Sequence, residues 1–285
     1  MQALIAEARR KYHAKLLANG VLTIDSKGIP SNADRSSNLS VSIAQGIASR
    51  LMAIEHVKAV GQTAGAKFEQ VNMEFLEATF PHLQNLRPGK WHIAKLGNRN
   101  SIKTSSFAQY EHLDYLSQLT KDDPRLAASM GNDYMVAPDV VIYRDTEPDD
   151  VINAQQLLVD NTVSQFSNIR QVYNVLPILH ASISAKWTMR SDRAQNSRTE
   201  ALGLIRNRKG HLPHIVVVTG EPMPARIASL ALGTGDIDCV YHFALQELIE
   251  AVNETKAEDS IEMLKILISG KRLKDISDLP LDLAV

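Results

Sequence analysis

The sequence predicts an α/β fold: a single domain over residues 1–285, with a central mixed β-sheet flanked by helices. Three observations carry this expectation. Four short apolar runs, at 139–143, 178–187, 214–219 and 237–243, have the length and β-branched content of buried strands. Helical patterns separate the last three runs, as in a sheet with crossover helices. The first half of the chain is mostly helical in pattern, and no linker, repeat or low-complexity tract divides the whole.

Taken in order, Ser26 to Asn38 is rich in Pro, Gly, Ser and Asn and reads as a loop. Asn38 or Ser40 is expected to cap a helix running to about Ala59. A second helix should cover Ala66 to Thr79, because Phe68, Val71, Phe75 and Ala78 share a face at helical spacing. Pro138 opens the first strand, where a missing N–H is tolerated. The strand Ile178–Trp187 leads into a helix over Asp192–Asn207. The strand His214–Thr219 is closed by Gly220, and the helix after Pro224 is ended by Gly233 and Gly235. After the strand Ile237–Phe243, two helices, about Ala244–Lys256 and Ser260–Leu267, complete the pattern.

A net charge of −1 argues against a generic polyanion binder. The sum conceals a polarity, however. Lys186, Arg190, Arg193, Arg198, Arg206, Arg208 and Lys209 face only Asp192 and Glu200 over that stretch, while Glu247, Glu250, Glu254, Glu258, Asp259 and Glu262 crowd the end. A local basic field survives a neutral total. The single cysteine, Cys239, lies in an apolar run and reads as core filler, so no disulfide forms within the chain. No apolar stretch is long enough to span a bilayer, and the N-terminus lacks the apolar core of a signal peptide. A cytoplasmic protein with no membrane partner is expected.

The chemistry concentrates near the end of the 178–187 strand. Alternation puts Ser184 and Lys186 on one face. A lysine ending a buried strand is costly without a partner or a task. If the strand opened by Asp139 lies beside it, a carboxylate and an ammonium meet at the sheet's rim. Such a carboxylate holds Mg²⁺ through hard oxygens, with the Ala185 carbonyl as a further ligand. The lysine orients the attacking water and offsets transition-state charge. Glu200, seven residues after Arg193 on the same side of a helix, supplies a second acid, and Glu69, next to the apolar face of its helix, another. Arg190, Asp192 and Arg193 form a base reader: arginine pairs bidentately with guanine, and aspartate accepts from cytosine.

Each of these has an ordinary reading when taken singly. Pro-Asp before a strand is a turn, a strand-end lysine is solvated, and an Arg-x-x-Arg with an internal Asp is a surface ion-pair cluster. Asp192 caps a helix, and Glu200 is a helix-surface acid. For Glu69 the solvated-acid reading stays level with the functional one. The combination, in this order and spacing, is what matches one chemistry. Scattered histidines give no zinc-ligand spacing, and no glycine-rich phosphate loop is present.

Pro138-Asp139, Ser184-Ala185-Lys186, Arg190-Ser191-Asp192-Arg193 and Glu200 resemble the CCGG-recognising branch of the PD-(D/E)XK restriction endonucleases. Most of that superfamily carries an acid two residues before the lysine. Here Ser184 stands there, and the resemblance assigns the acid's role to Glu200 from the next helix. It implies a restriction-endonuclease-like domain and two Mg²⁺ ions per active site. Asp139 is then the main metal ligand, Lys186 the catalytic lysine, Ser184 part of the motif, and Glu200 (outer shell) and Glu69 supporting acids. It also implies double-stranded DNA as partner and a homotetramer, a dimer of dimers, within a restriction–modification system. The site would be a CCGG core inside six base pairs, GCCGGC, cut before the first C of CCGG to leave 5′ overhangs. Gln62, Arg226 and the Ser36-Ser37 loop suit the outer base pair chemically, and equally suit an ordinary surface. The rival expectations are a non-catalytic DNA-binding regulator on the same scaffold and a structure-specific repair nuclease. The latter has no use for an acid such as Asp192 among phosphates.

Overall fold

Nine residues of uninterrupted strand, Ile178–Lys186 (β3), form the longest rung of a six-stranded sheet. This computed structural model describes residues 2–53, 61–96, 103–123, 125, 128, 138–189, 191–233 and 235–285, without the side chains of 61–63, 122 and 191–194. The strand order follows the chain: Trp91–Lys95 (β1), Val140–Arg144 (β2), β3, His214–Thr219 (β4), Cys239–His242 (β5) and Leu273–Asp275 (β6). β1, β2 and β3 pair antiparallel, and β3 to β6 pair parallel, which makes the sheet mixed.

The longer helices among the described residues are Leu4–Ala18 (α1), Asn38–Arg50 (α2), Gly61–Glu77 (α3), His112–Asp122 (α4), Ser191–Asn207 (α5), Pro224–Ala231 (α6), Leu245–Thr255 (α7) and Glu258–Ser269 (α8). β3 and β4 are buried along most of their length, so they must read as continuous apolar runs rather than alternate. Each of the parallel connections carries helix, as parallel pairing requires. The expected α/β architecture is what the chain adopts.

Several elements differ from expectation. α2 ends at Arg50 rather than near Ala59, and Met52 follows in the left-handed region with φ of 56°; residues 54–60 lie outside the described residues. Its cap is Ser37, whose hydroxyl accepts from the Ser40 N–H, because Ser40's own hydroxyl is taken by the Asp34 N–H. Phe68, Val71 and Phe75 of α3 are buried as the spacing predicts, but Ala78 falls beyond the helix and is exposed. Cys239 is buried in the core.

Candidate active site

Strand polarity builds the site. With β1, β2 and β3 antiparallel and β3 to β6 parallel, one rim of the sheet collects the start of β2 and the ends of the other five strands. The register sets Lys95 opposite Val140, Val140 opposite Ile183, and Lys186 opposite Thr219. Asp139, one residue before β2, therefore meets the last residues of β3.

The contact is direct. Oδ2 of Asp139 accepts the Ala185 N–H at 2.7 Å and the Lys186 Nζ at 3.0 Å. Both side chains are mostly buried, so the ammonium has the carboxylate partner that its position requires. The N–H and C=O of one strand residue leave on the same side, so the Ala185 carbonyl is aimed toward Asp139 as its N–H is. Among the described residues nothing donates to Oδ1 of Asp139.

Helix α5 completes this group from above β3. The Ser184 hydroxyl stands 3.4 Å from Oε2 of Glu200 and 3.4 Å from the Ser197 hydroxyl. Burial raises the Glu200 carboxyl above the ordinary carboxylate range, and the nearby Lys186 ammonium opposes that rise. Helix α3 contributes Glu69, whose Oε2 lies 3.1 Å from Lys95 Nζ. A cleft of about 770 Å³ opens over this rim, lined by Glu69, Ala185, Lys186, Glu200, Asp34 and Arg226 among others.

Asp139, Ser184, Lys186 and Glu200 are thus gathered at one point, with Glu69 on the same cleft. Arg226 and Ser36 line the same cleft. Arg226 is bonded to Asp34, and the Ser36 N–H and hydroxyl donate to the other Asp34 oxygen at 3.0 and 2.7 Å. Arg226 first, and the Ser36 bonds after it, hold the Asp34 carboxyl well below its ordinary range. Arg190 lies outside the described residues, as do the side chains of Gln62, Asp192 and Arg193. The backbone of residues 192 and 193 forms the first turn of α5.

The donor set decides which metal the rim suits. Among the described residues no three His, Cys, Asp or Glu side chains converge on a point. What converges is hard oxygen in small number: Asp139, the Ala185 carbonyl and, farther off, Glu200. A closed tetrahedral zinc site needs four N or S ligands and has no match here. Mg²⁺ keeps several waters and takes one or two carboxylates plus phosphate oxygens from a substrate, which this rim accommodates.

Three participants escaped the sequence reading. Lys95 ends a strand with a mixed pattern, and its end position was the available signal. Asp34 sits in Asn32-Ala33-Asp34-Arg35-Ser36, an Asx-turn pattern that could have marked it. Glu221 follows Gly220 in a turn, where nothing in the sequence announces a buried acid; it is 1 % exposed.

Comparison with known proteins places the chain in a family. A family model described as NgoMIV restriction enzyme matches residues 12–285. The chain is 48% identical, over 290 aligned positions and the full length of both proteins, to the type II restriction enzyme NgoMIV of Neisseria gonorrhoeae. Solved structures similar to it include the type IIF restriction endonuclease Bse634I with cognate DNA, at 14% identity and a TM-score of 0.39, covering 86% of this chain and 91% of that one. A PspGI–substrate DNA complex matches at 13% identity and a TM-score of 0.26, covering 98% and 90%.

Proposed function

The chain belongs to the NgoMIV restriction enzyme family and is a type II site-specific deoxyribonuclease, and from that premise we propose that it cuts double-stranded DNA at GCCGGC, before the first C of CCGG, in a reaction that needs Mg²⁺. The observation that supports the catalytic assignment most is the Asp139 carboxylate, held at the sheet rim by the Ala185 N–H and the Lys186 ammonium.

Two Mg²⁺ ions fit the proposal; Asp139 and the Ala185 carbonyl would hold one of them, and Glu200 would act in the outer shell. Such ions, when bound, polarise the scissile phosphate and make a water acidic enough to attack. The protein's own groups do the rest. Lys186 orients the attacking water and offsets charge growing on the phosphate oxygens. Asp139 fixes the Lys186 ammonium so that it points at the reacting centre rather than at solvent. Glu200, with its raised carboxyl, and Glu69 hold the proton and water network around the leaving oxygen. Ser184 carries no charge of its own and leaves the acid's place to Glu200.

Recognition of the CCGG core is assigned to Arg190, Asp192 and Arg193, at the start of α5 where a helix end can enter the major groove. Arg226 and Ser36, with Gln62, are assigned to the outer base pair. Support for the first two is their position on the cleft beside the rim. The whole of residues 1–285 then serves as one catalytic domain.

A homotetramer, a dimer of dimers, also fits. Between β2 and β3 the chain makes an excursion that shows solvent an array of apolar side chains, Leu157, Leu158, Phe166, Val172 and Val175 among them. It is nonetheless ordered: the Arg170 guanidinium, 1 % exposed, bridges both Asp149 oxygens at 2.9 and 2.5 Å and donates to the Val163 carbonyl. An apolar surface held in place by bonds within its own chain is one that a second copy would cover.

The test is digestion of a sequenced plasmid carrying GCCGGC sites, with and without Mg²⁺, followed by mapping of the fragment ends. Four-base 5′ overhangs at GCCGGC are expected. Intact DNA that is nonetheless shifted in gels would mean a binding protein, and cuts scattered without sequence preference would mean a repair nuclease.

A further inference from the structure

Glu221 is buried in the turn that leaves β4, next to the cleft-lining Arg226, and its carboxylate joins segments far apart in sequence. Oε2 accepts the N–H of Met189 at 2.9 Å. Oε1 accepts the N–H of Met223 at 3.2 Å and lies 3.8 Å from Nη1 of Arg226. Met189 is the residue before Arg190, and Met223 caps α6, whose first turn carries Arg226. One carboxylate therefore holds the approach to the CCGG reader with one oxygen and the approach to the outer-pair arginine with the other.

The residues on either side extend the bracket. The Gly220 carbonyl accepts from the Asn32 side chain at 2.8 Å, tying in the loop that carries Asp34 and Ser36. The Thr219 hydroxyl donates to the Lys186 carbonyl at 2.9 Å and accepts the Glu221 N–H at 3.1 Å. A carboxylate this deep is expensive, and an apolar side chain would leave two buried backbone N–H groups without an acceptor. Only an acceptor with two separated oxygens satisfies both at once.

We propose that Glu221 is a positioning residue for sequence discrimination, which locks the Arg190–Arg193 reader and the Arg226–Asp34 pair into one register so that inner and outer base pairs are read together. The inference rests on the assignment of those segments as base readers, made above.

Glu221→Gln is the informative change. It keeps the shape but replaces one acceptor by an amide NH₂, so one of the two N–H groups faces a donor whichever way the amide turns. The measurement is kcat/KM on GCCGGC and on duplexes altered only at the outer pair, for wild type, Glu221→Gln, Arg226→Ala and the double variant. The ratio of cognate to outer-altered cleavage should fall on the order of tenfold in Glu221→Gln, and no further when that change is added to Arg226→Ala. A ratio unchanged in a folded Glu221→Gln protein overturns the inference. So does an equal loss on all duplexes that parallels a loss of thermal stability, which a mere brace would give, or an effect that is undiminished in the Arg226→Ala background. If Glu221→Gln does not fold, Glu221→Asp takes its place, since a carboxylate one methylene shorter cannot reach both N–H groups. Wild-type protein that fails to cut GCCGGC sinks the functional reading itself, whereas wild type that cuts while the variant discriminates fully sinks only the role of Glu221.

Discussion

At the scale of single residues, the catalytic assignment turns on Asp139. Its carboxylate is at once the partner of a mostly buried ammonium and a hard oxygen donor at the rim. Asp139→Ala should lower the cleavage rate by at least ~10²-fold, while specific binding of cognate DNA in a gel-shift assay survives. A variant that cuts at the wild-type rate places the chemistry elsewhere. Glu221 gives a second residue-scale prediction, this one about stability. Burial pushes its carboxyl up to about 7, against two backbone N–H bonds and Arg226, which pull it down. In the unfolded chain it titrates near the ordinary 4.5. The folded protein thus holds a proton between those values that the unfolded chain has released. The contribution is full below about pH 4.5 and is lost as pH rises through 7. His242, whose Nδ1 accepts the Ala244 N–H, is pushed down to about 4 by burial and adds a dependence of opposite sign below about pH 6.5, which the comparison with Glu221→Gln removes; Asp34 is held ionised, and Arg226 stays charged. Relative to Glu221→Gln, wild type should lose about 2 kcal/mol of urea-unfolding free energy between pH 5 and pH 8. A flat difference would show that the carboxyl titrates normally.

At the scale of elements, close approach rather than propensity governs the helix layer. Gly46 in α2 faces α7, and a Cβ there would meet the Ala251 Cβ at 2.7 Å and its Cα at 3.2 Å. Alanine is the better helix former, yet Gly46→Ala should destabilise the fold by about 1–3 kcal/mol, because two backbones must move apart. Adding Ala251→Gly should restore part of the loss in a double-mutant cycle read by thermal unfolding; purely additive effects would mean that the two helices do not meet there. The same contrast between packing and local pattern explains what the sequence disclosed. β3 and β4 were legible because they are buried on both faces and so run apolar without a break. β1 was not, since Trp91-His92-Ile93-Ala94-Lys95 is half-buried throughout and carries two polar residues. β6, at three residues, is too short to show a period. α1 buries Ala8, Tyr12, His13 and Leu16, a regular face broken by a histidine, and Arg9, Arg10 and Lys11 crowd the residues between. The Asp139–Lys186 meeting was readable as strand ends in the right order, but Lys95, Asp34 and Glu221 were not. Their partners are fixed by sheet register and loop closure, which no local pattern encodes.

At the scale of the whole molecule, the excursion between β2 and β3 has no role in forming the cleft, yet it is built with care. A nearly inaccessible arginine locks it to Asp149, a parallel bridge joins Glu147 to Arg170, and Gln171 donates to the Glu147 carbonyl at 2.9 Å. Ordering a segment of this length costs conformational entropy that its own few buried contacts do not offset. Meanwhile Phe166 is 97 % exposed and Val175 83 %, in apolar surface that water opposes. Both costs are recovered if another copy of the chain buries the surface, as the proposed tetramer requires. Phe166→Asp places a charge in that contact, where an unpaired carboxylate would be desolvated. Sedimentation should then show dimers in place of tetramers, with unfolding temperature little changed, because the side chain touches little within its own subunit. In the proposed dimer of dimers each dimer would keep one pair of clefts, so a plasmid with a single GCCGGC site should still be cut, and any preference for plasmids carrying two sites should disappear. An assembly mass unmoved by Phe166→Asp, and by Leu157→Asp in the same excursion, would take the excursion out of the interface and leave its exposed apolar face to some other contact.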